Sequence, residues 1–121
     1  MQENSKTFAF TNKDRGSTLG TGVRLAGTSR ERRRGLLGTA GLDEISGLWI
    51  VPCEAVHTFG MKMPIDSIFL DRRLRVKSLR TNLKPSRVAI CLTAHSVLEL
   101  PAGTVRTSGT TVGDQLATSK A

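Results

Sequence analysis

The chain has 121 residues, enough for one domain and too few for two independent cores. Hydrophobic residues make up 38% and charged residues 23%, a globular balance that argues against a disordered chain. Aromatics are only 4%, with one Trp and no Tyr, which argues against a single-strand nucleic-acid reader built on stacked rings. The net charge of +8 favours either an anionic partner or a solvated basic surface.

Residues 1–21 read as a flexible N-terminal arm around Phe8 and Phe10, able to add one edge strand. Alternation at Val23-Arg24-Leu25 predicts a short strand, and residues 22–117 form the single domain. Thr28 followed by Glu31 has the spacing of a capping box, so a helix is expected to about Leu37, stopped by Gly38. Gly47–Val51 is a continuous apolar run closed by Pro52, the pattern of a central strand with Trp49 buried in it. Val56–Phe59 and Ile65–Leu70 read as strands, the second joined through Asp71-Arg72-Arg73 to a strand over Leu74–Arg80. Alternation in that last strand places Arg73, Arg75 and Lys77 together on an exposed face. Val88, Ile90 and Leu92 form a further alternating run, and Val97–Leu100 another strand. Pro101 opens a short helical turn toward Arg106, a last strand reaches Leu116, and residues 118–121 are a frayed tail. The fold expected is α+β: a small, twisted, mainly antiparallel sheet that could close into a barrel, with two short helices. No stretch approaches the ~20 apolar residues of a membrane span. No apolar leader follows Met1, so a cytoplasmic setting without a membrane span is expected.

Phosphate-loop, dinucleotide and serine-hydrolase signatures are missing. Cys53 with His57 and Cys91 with His95 have matching spacings and would make a legitimate tetrahedral zinc set. On an extended strand, however, residues four apart lie ~13 Å from each other, so no metal and no cofactor is expected. Cys53 and His57 could instead pair as thiolate and imidazole. Asp66 shares a strand face with Ile68 and Leu70, and Glu99 stands between Leu98 and Leu100, so each is a candidate half-buried carboxylate. The residue types from Cys53 to Asp66 suggest an apolar pocket walled by Trp49, Phe59, Met61 and Met63, with Asp66 and Glu99 as polar anchors and Cys53, His57 and Lys62 as further candidate members.

Several blocks are familiar as a group: Arg33-Arg34-Gly35-Leu36-Leu37, Gly47-Leu48-Trp49-Ile50, His57-Thr58-Phe59-Gly60-Met61-Lys62-Met63-Pro64-Ile65-Asp66, Val97-Leu98-Glu99-Leu100-Pro101-Ala102-Gly103 and Gly113-Asp114. Through them the chain resembles the domain-of-unknown-function 192 family over about residues 22–117. The resemblance implies a small single domain with a twisted sheet and short helices, and no settled activity. Its motif positions here are His57, Phe59, Met61, Pro64, Asp66, Glu99, Gly103, Gly113 and Asp114, whereas Cys91 and His95 fall outside the pattern.

The leading expectation is a non-catalytic binding or accessory module with its pocket around His57–Asp66, open to a small-molecule or anionic ligand. An enzyme using Cys53, His57 or Asp66 is one alternative. An anion or nucleic-acid binder using the Arg72–Arg87 run is the other.

Overall fold

The computed structural model describes residues 7–26, 47–57 and 63–120, with the backbone alone at Val56 and His57. Branched and aromatic residues dominate its extended stretches, because such side chains pack well on a pleated surface. In chain order these are β1 (Thr7–Asn12), β2 (Ser17–Ala26), β3 (Gly47–Ile50), β4 (Ala55–His57), β5 (Ile65–Leu70), β6 (Val76–Leu83), β7 (Val88–Ile90), β8 (Ser96–Pro101), the short helix α1 (Thr104–Ser108) and β9 (Leu116–Lys120). Seven strands form one sheet in the order β6-β5-β8-β3-β2-β1-β9, and β4 pairs with β7 in a separate ribbon. Among these pairings only β2 with β3 is parallel.

The sheet curls until its two edges touch at one end. Arg75 bridges Gln115, Leu116 N–H donates to the Leu74 carbonyl at 3.0 Å, and Val76 N–H donates to that of Asp114 at 2.9 Å. The result is a half-barrel closed at that end. Its interior collects Phe10, Val23, Ile68, Leu70, Val76, Leu98, Leu100 and Leu116 from both halves of the sheet, and Val105 of α1 plugs it. The opposite face carries a smaller apolar cluster, Leu48, Ile50, Ile65, Phe69 and Val97, against which Ala89 of the β4–β7 ribbon packs. The two faces alternate along β5 as period two requires: Asp66, Ile68 and Leu70 point inward, whereas Ile65, Ser67 and Phe69 point outward.

The β5–β6 hairpin forms without an Asn-Gly or Asp-Gly signal. Leu74 adopts the left-handed conformation (φ 65) that such turns give to glycine. The Asp71 carboxylate compensates by accepting the amides of Arg73 and Arg75 at 2.8 and 2.9 Å. Burial opposes ionisation of Asp71, but these amides with nearby Lys77 and Arg75 outweigh it and hold the carboxyl below its usual range.

Several expectations change. The arm expected over residues 1–21 is, from Thr7 onward, two strands of the sheet, with Phe10 wholly buried. The tail expected from residue 118 is the end of β9, paired along β1 to Lys120. Low-complexity polar sequence misleads here, since Thr and Ser suit strands that a sheet partner holds in place. Among the described residues there is one helix, so the α+β class holds only in part; the helix expected over residues 28–37 lies outside them. Pro101 ends β8 rather than opening α1, whose cap is the left-handed Gly103. Val88, Ile90 and Leu92 face solvent, and Ala89 is the buried member of β7. Trp49 is half-buried rather than enclosed: its indole N–H donates to Ser96 Oγ at 3.1 Å, and Phe8 and Phe10 pack edge-on to its ring. Among the described residues no helix is long and apolar enough to cross a membrane.

Candidate functional site

The residues expected to share one pocket are divided by the sheet. Phe59, Met61 and Lys62 lie outside the described residues, as does the His57 side chain. Trp49 and Asp66 stand on the interior face, Glu99 on the opposite one.

Asp66 is wholly buried, and both of its oxygens are engaged. Oδ1 accepts the Asn82 amide at 2.8 Å, and Oδ2 accepts those of Gly103 and Val105 at 3.1 and 2.9 Å. The first contact holds the irregular step in β6, where Asn82 has a positive φ. The other two hold the start of α1. A carboxylate that is wholly buried and receives three amides is committed to holding backbone. Asp114 belongs to the same class. It accepts Asn12 Nδ2 at 3.0 Å, Arg15 Nε at 3.2 Å and the Thr111 amide at 2.9 Å. The Asn12 bond leads these contacts in pulling its carboxyl down to about 2 against the opposing effect of burial.

Glu99 is the exception. It retains 3% of its surface, and its Oε1 is buried with no hydrogen-bond partner. Burial pushes its carboxyl up to about 7. Its register partner on β5 is Ser67, itself wholly buried, whose Oγ also bonds nothing. Directly opposed residues share a face with Cβ atoms ~5 Å apart, so carboxyl and hydroxyl are neighbours. On the other side Glu99 is opposite Leu48. The same cross-strand row ends in Arg24, opposite Leu48, and Arg80, opposite Ser67. Each cation is two strands from Glu99, ~10 Å, and neither pairs with it. Glu99 was legible as a candidate from its sequence. Ser67 was not, and its only signal was a polar residue in the period-two set of Ile65 and Phe69.

The two Cys-His segments do meet. Cys53 N–H donates to the His95 carbonyl and Cys91 N–H to that of Glu54, extending the β4–β7 ladder. The contact is through backbone: Cys53 Sγ donates to the Ala55 carbonyl at 2.9 Å, and Cys91 Sγ lies 3.5 Å from Thr93 Oγ1. Among the described residues no cluster of three His, Cys, Asp or Glu groups could hold a metal.

The basic patch is also redistributed. Arg73 sits in the β5–β6 turn, because Leu74 breaks the alternation and β6 starts at Val76. Arg75 is committed to closing the half-barrel, its guanidinium donating to the Gly113 carbonyl at 2.8 Å. Lys77 is exposed on β6, an edge strand. Beside the turn, Asp71, Arg72, Arg73, Thr93, Ala94 and His95 line an open depression of about 360 Å³.

A half-barrel of mainly antiparallel strands with, among the described residues, one short helix packed into it defines the class. The chain belongs to the domain-of-unknown-function 192 family (DUF192, Uncharacterized ACR), whose pattern matches residues 10–118. The fold is similar to a Sinorhizobium meliloti 1021 protein described provisionally as a transcription regulator, at TM-score 0.79 and 22% identity over 94% of this chain and 93% of that one. It is also similar to a Novosphingobium aromaticivorans DSM 12444 protein of unknown function, at TM-score 0.75 and 22% identity over 91% and 82%. No curated protein matches the chain.

Proposed function

We propose that the domain is a non-catalytic binding module for a phosphate-bearing polyanion, met at the β5–β6 turn. The observation that carries this reading is the depression beside that turn, where Arg72 and Arg73 stand with Thr93 and His95. Among the described residues both guanidinium groups are without an ion pair or hydrogen bond. The carboxylate beside them, Asp71, is turned to its own backbone amides. Lys77 and Arg80 have a simpler role, since charges on an edge strand keep it from pairing with other chains. The groups that favoured an enzyme are otherwise occupied: Asp66 by three amides, the Cys53 thiol by a carbonyl. Asp66 is equally unable to anchor the apolar pocket expected around His57–Asp66. The Sinorhizobium protein of similar fold is described as a transcription regulator, and a nucleic acid is one polyanion of the kind proposed. The net charge of +8 suits that partner.

Fluorescence anisotropy with a labelled DNA duplex, repeated over a salt series, tests the reading. Replacing Arg72 and Arg73 together by Ala should weaken binding and reduce the log–log salt slope by about 2. An unchanged slope, or no salt-dependent binding in the wild type, would overturn it.

A further inference from the structure

Among the described residues four large aliphatic side chains are exposed, and three of them stand in or next to β7: Val88 at 55%, Ile90 at 53% and Leu92 at 75%. β7 has a strand neighbour on one side only, β4. The hydrogen bonds of this ribbon fix which residues look outward. Cys91 N–H donates to the Glu54 carbonyl at 2.7 Å, so Glu54 and Cys91 are a bonded pair of the antiparallel ladder. Two residues on, Val56 and Ala89 are the next bonded pair. Ala55–Ile90 and His57–Val88 are the intervening pairs, so the N–H and C=O groups of Val88 and Ile90 point away from β4. Among the described residues nothing bonds them on that side. Val88 and Ile90 thus carry both an exposed aliphatic side chain and open backbone groups, while Ala89 between them is buried. The run from Arg72 to Leu98 around this edge holds seven Lys and Arg residues and no Asp or Glu. Glu54, an exposed acid, meets Cys91 from the β4 side, away from the open edge.

We propose that β7 is a docking edge that takes an extended, acidic segment of a partner protein as an added strand, with aliphatic side chains at alternate positions of that segment. Three occupants compete for such an edge, and its chemistry chooses between them. A lipid surface would accept Val88, Ile90 and Leu92, but it offers nothing to the backbone groups beside them, and an open strand edge is not tolerated in hydrocarbon. An added strand satisfies backbone and side chains together, because its alternate residues fall on the face of Val88 and Ile90. A second copy of this chain could also add a strand, but it brings the same net charge of +8, whereas an acidic segment is attracted. The edge strand β6 makes the contrast. It carries Lys77 and Arg80, both exposed, and such charges keep an edge from pairing. β7 itself, Val88–Ile90, carries no charge. This edge shares no residue with the depression beside Arg72 and Arg73, and each site can fail without the other.

The probe is a fluorescein-labelled synthetic peptide in which valine alternates with glutamate, titrated with the whole chain and read by fluorescence anisotropy. Saturable binding is expected. Val88→Thr, Ile90→Thr and Leu92→Ser together change only exposed side chains, so this variant should melt as the wild type does and bind at least about tenfold more weakly. Ile90→Pro removes an outward N–H, which an edge strand tolerates, and should weaken binding likewise. Two further peptides carry N-methyl groups on the valine amides or on the glutamate amides, and each blocks one edge of the peptide strand. One of them should bind and the other should not. The Arg72/Arg73 double alanine variant should still tell the two methylated peptides apart, which separates failure here from failure at the turn. No saturable binding, equal binding of both methylated peptides, or unchanged affinity in the triple variant would overturn the proposal. So would dimerisation of the wild type, or its attachment to phosphatidylglycerol vesicles, that the triple variant loses while the peptide is ignored, since the edge would then belong to a second copy or to lipid.

Discussion

Asp66 and Glu99 are both carboxylates on adjacent central strands, exposed by 0% and 3%, yet their circumstances are opposite. Asp66 points into the half-barrel, where the ends of β6 and β8 turn three amides toward it. Glu99 points to the other face, where straight strands on both sides have already spent their amides on each other. Burial alone therefore does not make a carboxylate structural. What matters is whether irregular backbone nearby has donors to spare. Irregular backbone meets Asp66, regular ladder meets Glu99, and only the second keeps an oxygen without a partner.

The largest expected effect breaks the Asp66 side of this contrast. Asp66→Ala should lose about 3–5 kcal/mol, because three buried amides are orphaned together. Asp66→Asn should also melt below the wild type, since one of the two engaged oxygens becomes an amide facing an amide. Chemical denaturation measures both, and a wild-type midpoint for either would remove the distinction.

The Glu99 side is broken by pH. Its folded-state carboxyl stands at about 7 against 4.5 when unperturbed, so the folded protein holds this proton more tightly than the unfolded chain. The associated stability is complete below the lower value and is lost as pH rises through the upper one, a fall of about 3 kcal/mol. Glu99→Gln should flatten the melting profile between about pH 5 and pH 8 and be at least as stable as the wild type at the upper end. Identical profiles for the two proteins would contradict the assignment. Asp114 has the opposite sign in a separate window: its stabilisation is present above 3.8 and disappears as pH falls toward about 2.

Gly47→Ala sharpens the comparison by pressing on the strand itself. A Cβ there would meet the Glu99 carbonyl oxygen and Leu100 Cδ2, both at 2.7 Å. A loss of about 1–3 kcal/mol is expected, and a neutral result would mean that β8 can move away at Glu99. The smallest effect belongs to the exposed turn: the Arg72/Arg73 double alanine variant should stay within about 0.5 kcal/mol of the wild type while losing polyanion binding.

Local pattern was enough for much of this. The bounds of β5, Ile65–Leu70, and the turn after it follow from branched and aromatic residues ending at a charged triplet. The central place of β3 follows from an uninterrupted apolar run, and the family from a few blocks of motif. The same pattern also shows that Asp66 goes with Ile68 and Leu70, because side chains two apart share a face. It does not show which face becomes the interior, since that depends on how far the sheet curls and which edges meet. Nor does it show what arrives from elsewhere in the chain. Asp66 receives its amides from residues 16, 37 and 39 positions away, and Phe10 is buried because β9, at the far end of the chain, pairs with its strand. Ser67 became interesting only when register set it opposite Glu99. The sequence by itself determined which residues can be strands and which side chains travel together. The tertiary structure decided which buried carboxylate finds partners, because hydrogen-bond satisfaction is a non-local property of where backbone donors end up.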